Sequence, residues 1–227
     1  MADVPDRDSK ESALAAAIEK ELARFGRLLA RTIPGLQSAL ERINPELWNE
    51  HTANMTSAMS PLLQQTYTEQ GAAEMAEIPY LGIDWGMYNQ AAANWARNYT
   101  SEIVTKLYGT SERLVREAVA NYFELGWTQG ELRAELIRGG FGPARAETIA
   151  VTETTRASVE GRREIENRLT YDDGVETRPI WLTRNDEIVC RICGPRHEKE
   201  IKPGNETQGK YPPAHPRCRC DYGIEIV

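Results

Sequence analysis

The stretch PPAHPRCRC at residues 212–220, together with CRIC at residues 190–193, decides how the end of this 227-residue chain folds. All four cysteines of the chain lie in these two segments, and the second segment also contains His215. Two cysteines separated by two residues can direct both sulfurs of a tight turn to one point about 2.3 Å away, which is the zinc–sulfur distance. The two segments therefore predict one four-coordinate metal centre that holds zinc.

Five side chains compete for the four positions of this centre. Cys190 and Cys193 fill two positions, which leaves His215, Cys218 and Cys220 for the other two. An extended backbone would place Cys218 and Cys220 on one face and His215 on the other, whereas a turn at the intervening proline would join His215 to Cys218. Two ligand sets stay open: three cysteines with His215, or all four cysteines. Disulfides and small buried core residues are the competing interpretations.

The composition is that of a folded protein, with 41% hydrophobic and 27% charged residues. The first residues, MADVPDRDSK, show no basic start followed by an apolar stretch, and no run of about eighteen apolar residues occurs, so we expect neither a secretory signal nor a membrane span. Synthesis in a reducing cytosol favours a metal site over disulfides. The net charge of −7 argues against coating nucleic acid through bulk charge.

Helical periodicity dominates the first two thirds of the chain. Apolar side chains recur every three or four positions over residues 12–31, which predicts an amphipathic helix. Thr128 and Glu131 match a capping box. The last long helix is expected over residues 145–169. Residues typical of helix starts stand at four positions: Asn44, Asp84, Thr128 and Pro143.

Turn-forming residues divide these helices and end the helical part. We expect Pro61 to kink or divide the second helix, and Gly109-Thr110-Ser111 to separate two later helices. The segment Tyr171–Gly174 reads as a turn. Short strands are predicted at residues 178–183 and 221–227, on either side of a loop-rich stretch.

The predicted fold class is mainly α with a small α+β C-terminal module, in which long helices precede a loop-rich, short-stranded tail. A tail of about fifty residues that buries so little apolar surface needs an additional cross-link to be stable, and a bound zinc ion would provide one.

One segment of the last helix is unusually polar. Thr152, Glu153 and Arg156 follow one another there, and Glu153 and Arg156 are spaced to pair on one helix face. Either this face is solvated, or the pair is partly buried and locks the helix to the C-terminal module.

The order of these motifs resembles the phage head morphogenesis family, whose members are Mu F-like minor head proteins. The resemblance is carried by IAVTETTR at residues 149–156, Trp181, Asp186, CRIC at residues 190–193 and PPAHPRCRC at residues 212–220. It is close over about a third of the chain, and the layout of the remaining helices matches more loosely.

The resemblance implies a structural role and no enzyme activity. Its implied partners are the portal protein and other head proteins of a tailed phage or prophage. The protein would assemble in the host cytoplasm and reside in the procapsid or virion, with non-specific contact to double-stranded DNA. We divide the chain into a helical, partner-binding region at residues 1–108 and a head-morphogenesis domain at residues 109–227, which contains the metal-binding module at residues 175–227.

Two other functions compete with this one. A zinc-dependent hydrolase or nuclease would use His215 with a nearby glutamate, but it needs an open metal position, and no HExxH-type motif occurs. A general DNA-binding module would use arginines around the metal loop, for which the candidates are Arg191, Arg217 and Arg219, with Arg184 and Arg196 close by.

Overall fold

A computed structural model describes residues 4–36, 43–78, 84–184, 188–201 and 211–227. In this part of the chain, helices account for most residues, and a small antiparallel sheet lies near the C-terminus. The predicted fold class is therefore confirmed. No helix among these residues is long and apolar enough to cross a membrane.

Long helices form the body of the molecule, and their starts follow the predicted capping residues. Asn44 accepts a hydrogen bond from the main-chain N–H of Glu46, and Thr128 and Glu131 form the predicted capping box. Asp84 likewise caps the third helix. The helices are α1 (Arg7–Thr32), α2 (Pro45–Glu77), α3 (Trp85–Glu124), α4 (Gln129–Leu136) and α5 (Pro143–Tyr171).

One predicted break, at Gly109, was wrong. α3 continues through Gly109, and α2 is not divided at Pro61. The hydroxyl of Ser111 donates to the main-chain oxygen of Leu107 at 2.8 Å, so this polar residue bonds back to the helix instead of ending it. Arg145 of α5 donates to both residues, which holds α3 at this point. The boundary drawn between residues 108 and 109 therefore falls inside one helix.

α5 lies against α1 and α2, and the three helices share one apolar core. Within this core Phe25 stacks on His51 with ring centroids 4.1 Å apart, and Trp48 meets the same phenylalanine edge-on. A second apolar cluster joins the C-terminal ends of α2 and α5 to the sheet and contains three of the cysteines.

The sheet has the order β2-β1-β3 and is antiparallel throughout. β1 (Thr177–Leu182) and β3 (Asp221–Ile226) confirm the two predicted strands, and Trp181 pairs with Tyr222. β2 (Lys199–Glu200) was missed, because two exposed charged residues carry no strand pattern.

A buried arginine ties the sheet to the helices. Arg162 of α5 is fully buried and forms ion pairs with Glu74 of α2 at 2.9 Å and Asp221 of β3 at 3.0 Å. It also donates to the main-chain oxygen of Tyr222 at 2.7 Å. With its amide oxygen facing the guanidinium, Gln70 of α2 accepts from Arg162 as well. The C-terminal strand is thus held against two helices at one point.

Candidate metal centre

The CRIC segment forms a tight turn that aims two sulfurs at one place. The main-chain N–H groups of Cys193 and Gly194 donate to the carbonyl oxygen of Cys190, at 3.1 and 2.9 Å. One turn of 3₁₀ helix, Gly194–Arg196, follows. Cys193 is buried, whereas Cys190 is half-buried.

The second segment turns at the proline between His215 and Cys218. The N–H of Cys218 donates to the carbonyl oxygen of His215 at 3.2 Å, and Arg217 adopts a left-handed backbone conformation with φ 60°. This turn brings His215 and Cys218 to the same side. The extended alternative, which would have separated them, is not adopted.

The five predicted ligands meet in two overlapping groups that share Cys193. Cys190, Cys193 and His215 form one group, and Cys193, Cys218 and Cys220 form the other; within each group the ligand atoms lie within 4.8 Å of one another. The metal-binding side chains that the sequence nominated are therefore all brought together.

Three distances within the two groups are close to those around a tetrahedral ion, but Cys218 does not lie within 4.8 Å of both Cys190 and His215. Two sulfurs on zinc lie about 3.8 Å apart, and a sulfur and a nitrogen about 3.5 Å apart, given the usual bond lengths. The sulfurs of Cys193 and Cys218 are 3.8 Å apart. Nε2 of His215 lies 3.4 Å from the sulfur of Cys193 and 3.0 Å from that of Cys190. One ion bound by members of both groups would require Nε2 of His215 to move outward and Cys218 to approach Cys190 and His215.

The histidine is oriented as a metal ligand. Nδ1 of His215 lies 2.8 Å from the carbonyl oxygen of Pro216 and donates its proton there. That bond fixes the tautomer and leaves the lone pair of Nε2 directed at the sulfurs of Cys190 and Cys193. This arrangement favours the ligand sets that include His215.

Cys218 and Cys220 lie next to each other, and their pKa values shift in opposite directions. A hydrogen bond from the Cys220 thiol lowers the pKa of Cys218 to about 5. The same bond, together with burial, raises the pKa of Cys220. The two thiols therefore form a hydrogen-bonded pair at the edge of the cluster.

A cavity of about 360 Å³ lies beside the cluster. Among the described residues that line it, the one carboxylate is Glu147, which forms an ion pair with Arg217 at 2.7 Å. A hydrolytic site would need a free general base next to the metal, and the carboxylate closest to this role is engaged.

The polar segment of α5 supports the metal loop through its threonines. Thr152 accepts a hydrogen bond from the N–H of Arg217 at 2.9 Å. Thr155, which the sequence analysis did not select, donates to the carbonyl oxygen of Cys218 at 2.7 Å and accepts from Arg7 of α1 at 3.0 Å. Its signal in the sequence was a threonine in a helix interior, where a hydroxyl needs a partner.

The acid–base pair of the same segment faces another helix. Glu153 is buried, lies 3.6 Å from Arg156 and accepts a 2.6 Å hydrogen bond from the hydroxyl of Tyr99 in α3. Burial raises the pKa of Glu153, although Tyr99 and Arg156 oppose the shift. The pair is thus partly buried, as one of the two interpretations had it, but the helix it locks to is α3 and not the C-terminal module.

Of the other two motif residues, Trp181 is buried in the cluster that contains Cys193 and Cys220, and the guanidinium of Arg196 lies 4.8 Å from its ring centroid. Asp186 lies outside the described residues.

Two of the three candidate DNA-binding arginines are engaged in ion pairs. Arg217 pairs with Glu147, and Arg219 contacts Glu11 of α1 and lies 3.8 Å from Asp8. Arg191 is exposed. Arg217 and Arg219 therefore hold the segment around Cys218 to α5 and α1.

Comparison with known proteins identifies the C-terminal half. Residues 113–222 match the family model for Phage Mu protein F like protein. The match begins in α3, ends in β3 and contains the whole Cys/His cluster. No curated protein and no solved structure gives a significant match. The resemblance inferred from the sequence is confirmed over this segment.

Proposed function

Because residues 113–222 belong to the Phage Mu protein F-like family, we propose that this phage head morphogenesis protein is a structural minor head component that acts at the portal during procapsid assembly. The observation that carries the proposal is that the family match contains the whole metal cluster and the helix that supports it. The engaged carboxylate beside the cluster agrees with a structural and non-catalytic role.

The cluster is proposed to hold one zinc ion, with Cys190, Cys193, His215 and Cys218 as ligands. Zinc would bind the two turns to each other and so fix the C-terminal module to α5. Cys220 would donate a hydrogen bond to Cys218 without binding the ion. Cobalt substitution tests this set, since cobalt absorption in the near ultraviolet reports thiolate ligands. Cys220→Ser should keep the cobalt spectrum, and Cys218→Ser should lose it; the reverse pattern would assign the fourth position to Cys220.

The helices of residues 1–108 are proposed as the region that contacts the portal protein. The test is co-expression with the tagged portal protein of the same phage, followed by purification on the tag. We expect the chain to co-purify with that portal and not with the portal of an unrelated phage. If the portal protein is purified without this chain under conditions in which procapsids form, the placement at the portal is refuted.

Contact with packaged double-stranded DNA is the last part of the proposal, and the exposed Arg191 is its best candidate residue. Phosphate contacts should weaken roughly tenfold or more between low and physiological salt. Fluorescence anisotropy with a DNA duplex would measure this, with Arg113→Glu, an exposed arginine of α3, as the control for Arg191→Glu. If the two variants bind the duplex equally, or if the affinity does not change with salt concentration, DNA binding through Arg191 is excluded.

A further inference from the structure

A small apolar pocket lies where α1, α4 and the turn before α5 meet, and it is far from the cysteines in sequence. Its volume is about 160 Å³. A cavity of about 150 Å³ can hold benzene, so the pocket has room for one aromatic ring. The buried Phe141 and the exposed Ile137 contribute apolar surface to its wall.

Glycines shape this pocket. A Cβ atom on Gly26 would lie 3.0 Å from Cβ of Phe141, so the glycine lets that ring approach α1 closely. A Cβ atom on Gly142 would lie 2.8 Å from the carbonyl oxygen of Ile137. The wall is the kinked turn Ile137–Phe141, in which Gly140 has a non-helical backbone with φ 150°.

The rim of the pocket is basic in a chain of net charge −7. Arg27 of α1 and Arg133 of α4 both line it, and both are exposed. Among the described residues, neither guanidinium has a carboxylate within 4.0 Å. One carboxylate, Glu19, also lines the pocket, so the rim carries a net positive charge. The pocket therefore suits an apolar side chain that is flanked by carboxylates.

The same chain displays such a group at the far end of α5. Tyr171 is 81% exposed, and Asp172 and Asp173 follow it on the surface. One aromatic ring with two adjacent carboxylates complements one apolar pocket with two arginines.

The two features cannot meet within one molecule. Pro143, the first residue of α5, lines the pocket, and Tyr171 is its last residue. A helix of 29 residues is on the order of 42 Å long. We propose that Tyr171, Asp172 and Asp173 of one copy dock in the Arg27–Arg133 pocket of a second copy. Because donor and acceptor are different surfaces, the contact is head-to-tail, and repetition gives a ring or a filament.

Sedimentation velocity over a concentration series at low salt tests the proposal with the full chain. We expect the wild type to associate as its concentration rises, and Tyr171→Ala to weaken association at least tenfold. Leu125→Ala removes another exposed apolar side chain and is the matched control; it should leave association unchanged. All five positions of the proposed contact that are changed here and below are exposed, so the variants should fold.

Mixing two charge variants gives the sharper result. Arg27→Glu with Arg133→Glu disables the pocket, and Asp172→Lys with Asp173→Lys disables the donor. Each variant alone should stay monomeric, and an equal mixture should associate, because every contact in the mixture joins opposite charges. A wild type that is monomeric at millimolar concentration would overturn the proposal. The proposal would also be overturned if each charge variant alone associates as the wild type does. It would equally be overturned if the pocket binds a co-expressed head protein instead of a second copy of this chain.

Discussion

Replacing the buried Arg162 by methionine should destabilise the protein severely at neutral pH. The guanidinium is fully buried and faces Glu74 and Asp221 at 2.9 and 3.0 Å. Removing one partner of a buried ion pair leaves an uncompensated charge and costs about 3–5 kcal/mol. Asp221 retains 12% exposure of its side chain and can be partly hydrated, whereas Glu74 retains 3%, so Glu74 accounts for most of the loss. We expect about 4 kcal/mol.

The size of this loss should depend on pH. Burial raises the pKa of Glu74, and the charge of Arg162 opposes the shift. Without Arg162 the folded-state pKa rises further above the unfolded value, so the variant is most stable below the unfolded pKa and loses stability as pH rises through the folded pKa. The difference from wild type should therefore shrink by about 1 kcal/mol or more between about pH 7.5 and pH 5.5.

Urea unfolding at both pH values measures this difference, and the neighbouring arginine is the control. Arg163 has a side chain that is 32% exposed, pairs with Glu160 at 3.0 Å and lies over the ring of Tyr211. Arg163→Met should cost about 1 kcal/mol at most. An Arg162→Met variant within about 1 kcal/mol of wild type at neutral pH, or a loss that does not change with pH, would refute the reasoning.

Three further predictions concern single side chains. Burial lowers the pKa of His51 to about 4, so the wild type should lose stability as pH falls from about 6.5 towards 4, by about 2 kcal/mol at pH 5, and His51→Phe should abolish this loss in acid unfolding curves. Gly161→Ala should lower the melting temperature, because its Cβ would lie 2.5 Å from a main-chain oxygen of α2. Gly109 has open space around it, so Gly109→Ala should raise stability by about 0.5–1 kcal/mol. Equal shifts in the melting temperatures of the two variants would contradict the packing described at Gly161. Thr155→Val should cost about 2 kcal/mol in thermal unfolding, because it strips the carbonyl of Cys218 of a buried donor; a neutral result would mean that this bond does not support the loop.

Short-range sequence signals were sufficient to predict where several of the helices begin. A capping box or an Asn-Pro start acts through adjacent residues, so Thr128 and Asn44 could be assigned from the sequence. The break expected at Gly109 was wrong because tertiary packing decides there. The half-buried Arg145 of α5 donates hydrogen bonds to α3 where the local sequence is weakest. Helix propensity is a weak constraint when tertiary contacts oppose it.

The side chains of the Cys/His cluster could be selected from the sequence because this cysteine spacing is typical of metal ligands. The sequence could not decide whether His215 or Cys220 is the better candidate ligand. That choice depends on the turn at the intervening proline and on the hydrogen bond from Nδ1 of His215. The role of Thr155 was missed for the same reason: its partners, Arg7 and Cys218, lie far away in the chain. Likewise, Arg217 and Arg219 looked like a basic patch until their acidic partners in α5 and α1 were placed beside them.

The zinc content of the purified wild type, measured by elemental analysis beside Cys190→Ser, tests the proposed metal-stapled head module most directly. We predict about one zinc per wild-type chain. Cys190→Ser should lose the ion and, with it, the protection of β1 and β3 from hydrogen exchange, while the core of α1, α2 and α5 stays protected. A well-folded wild type that contains no metal, with β1 and β3 protected to the same extent in both proteins, would contradict the metal-stapled module.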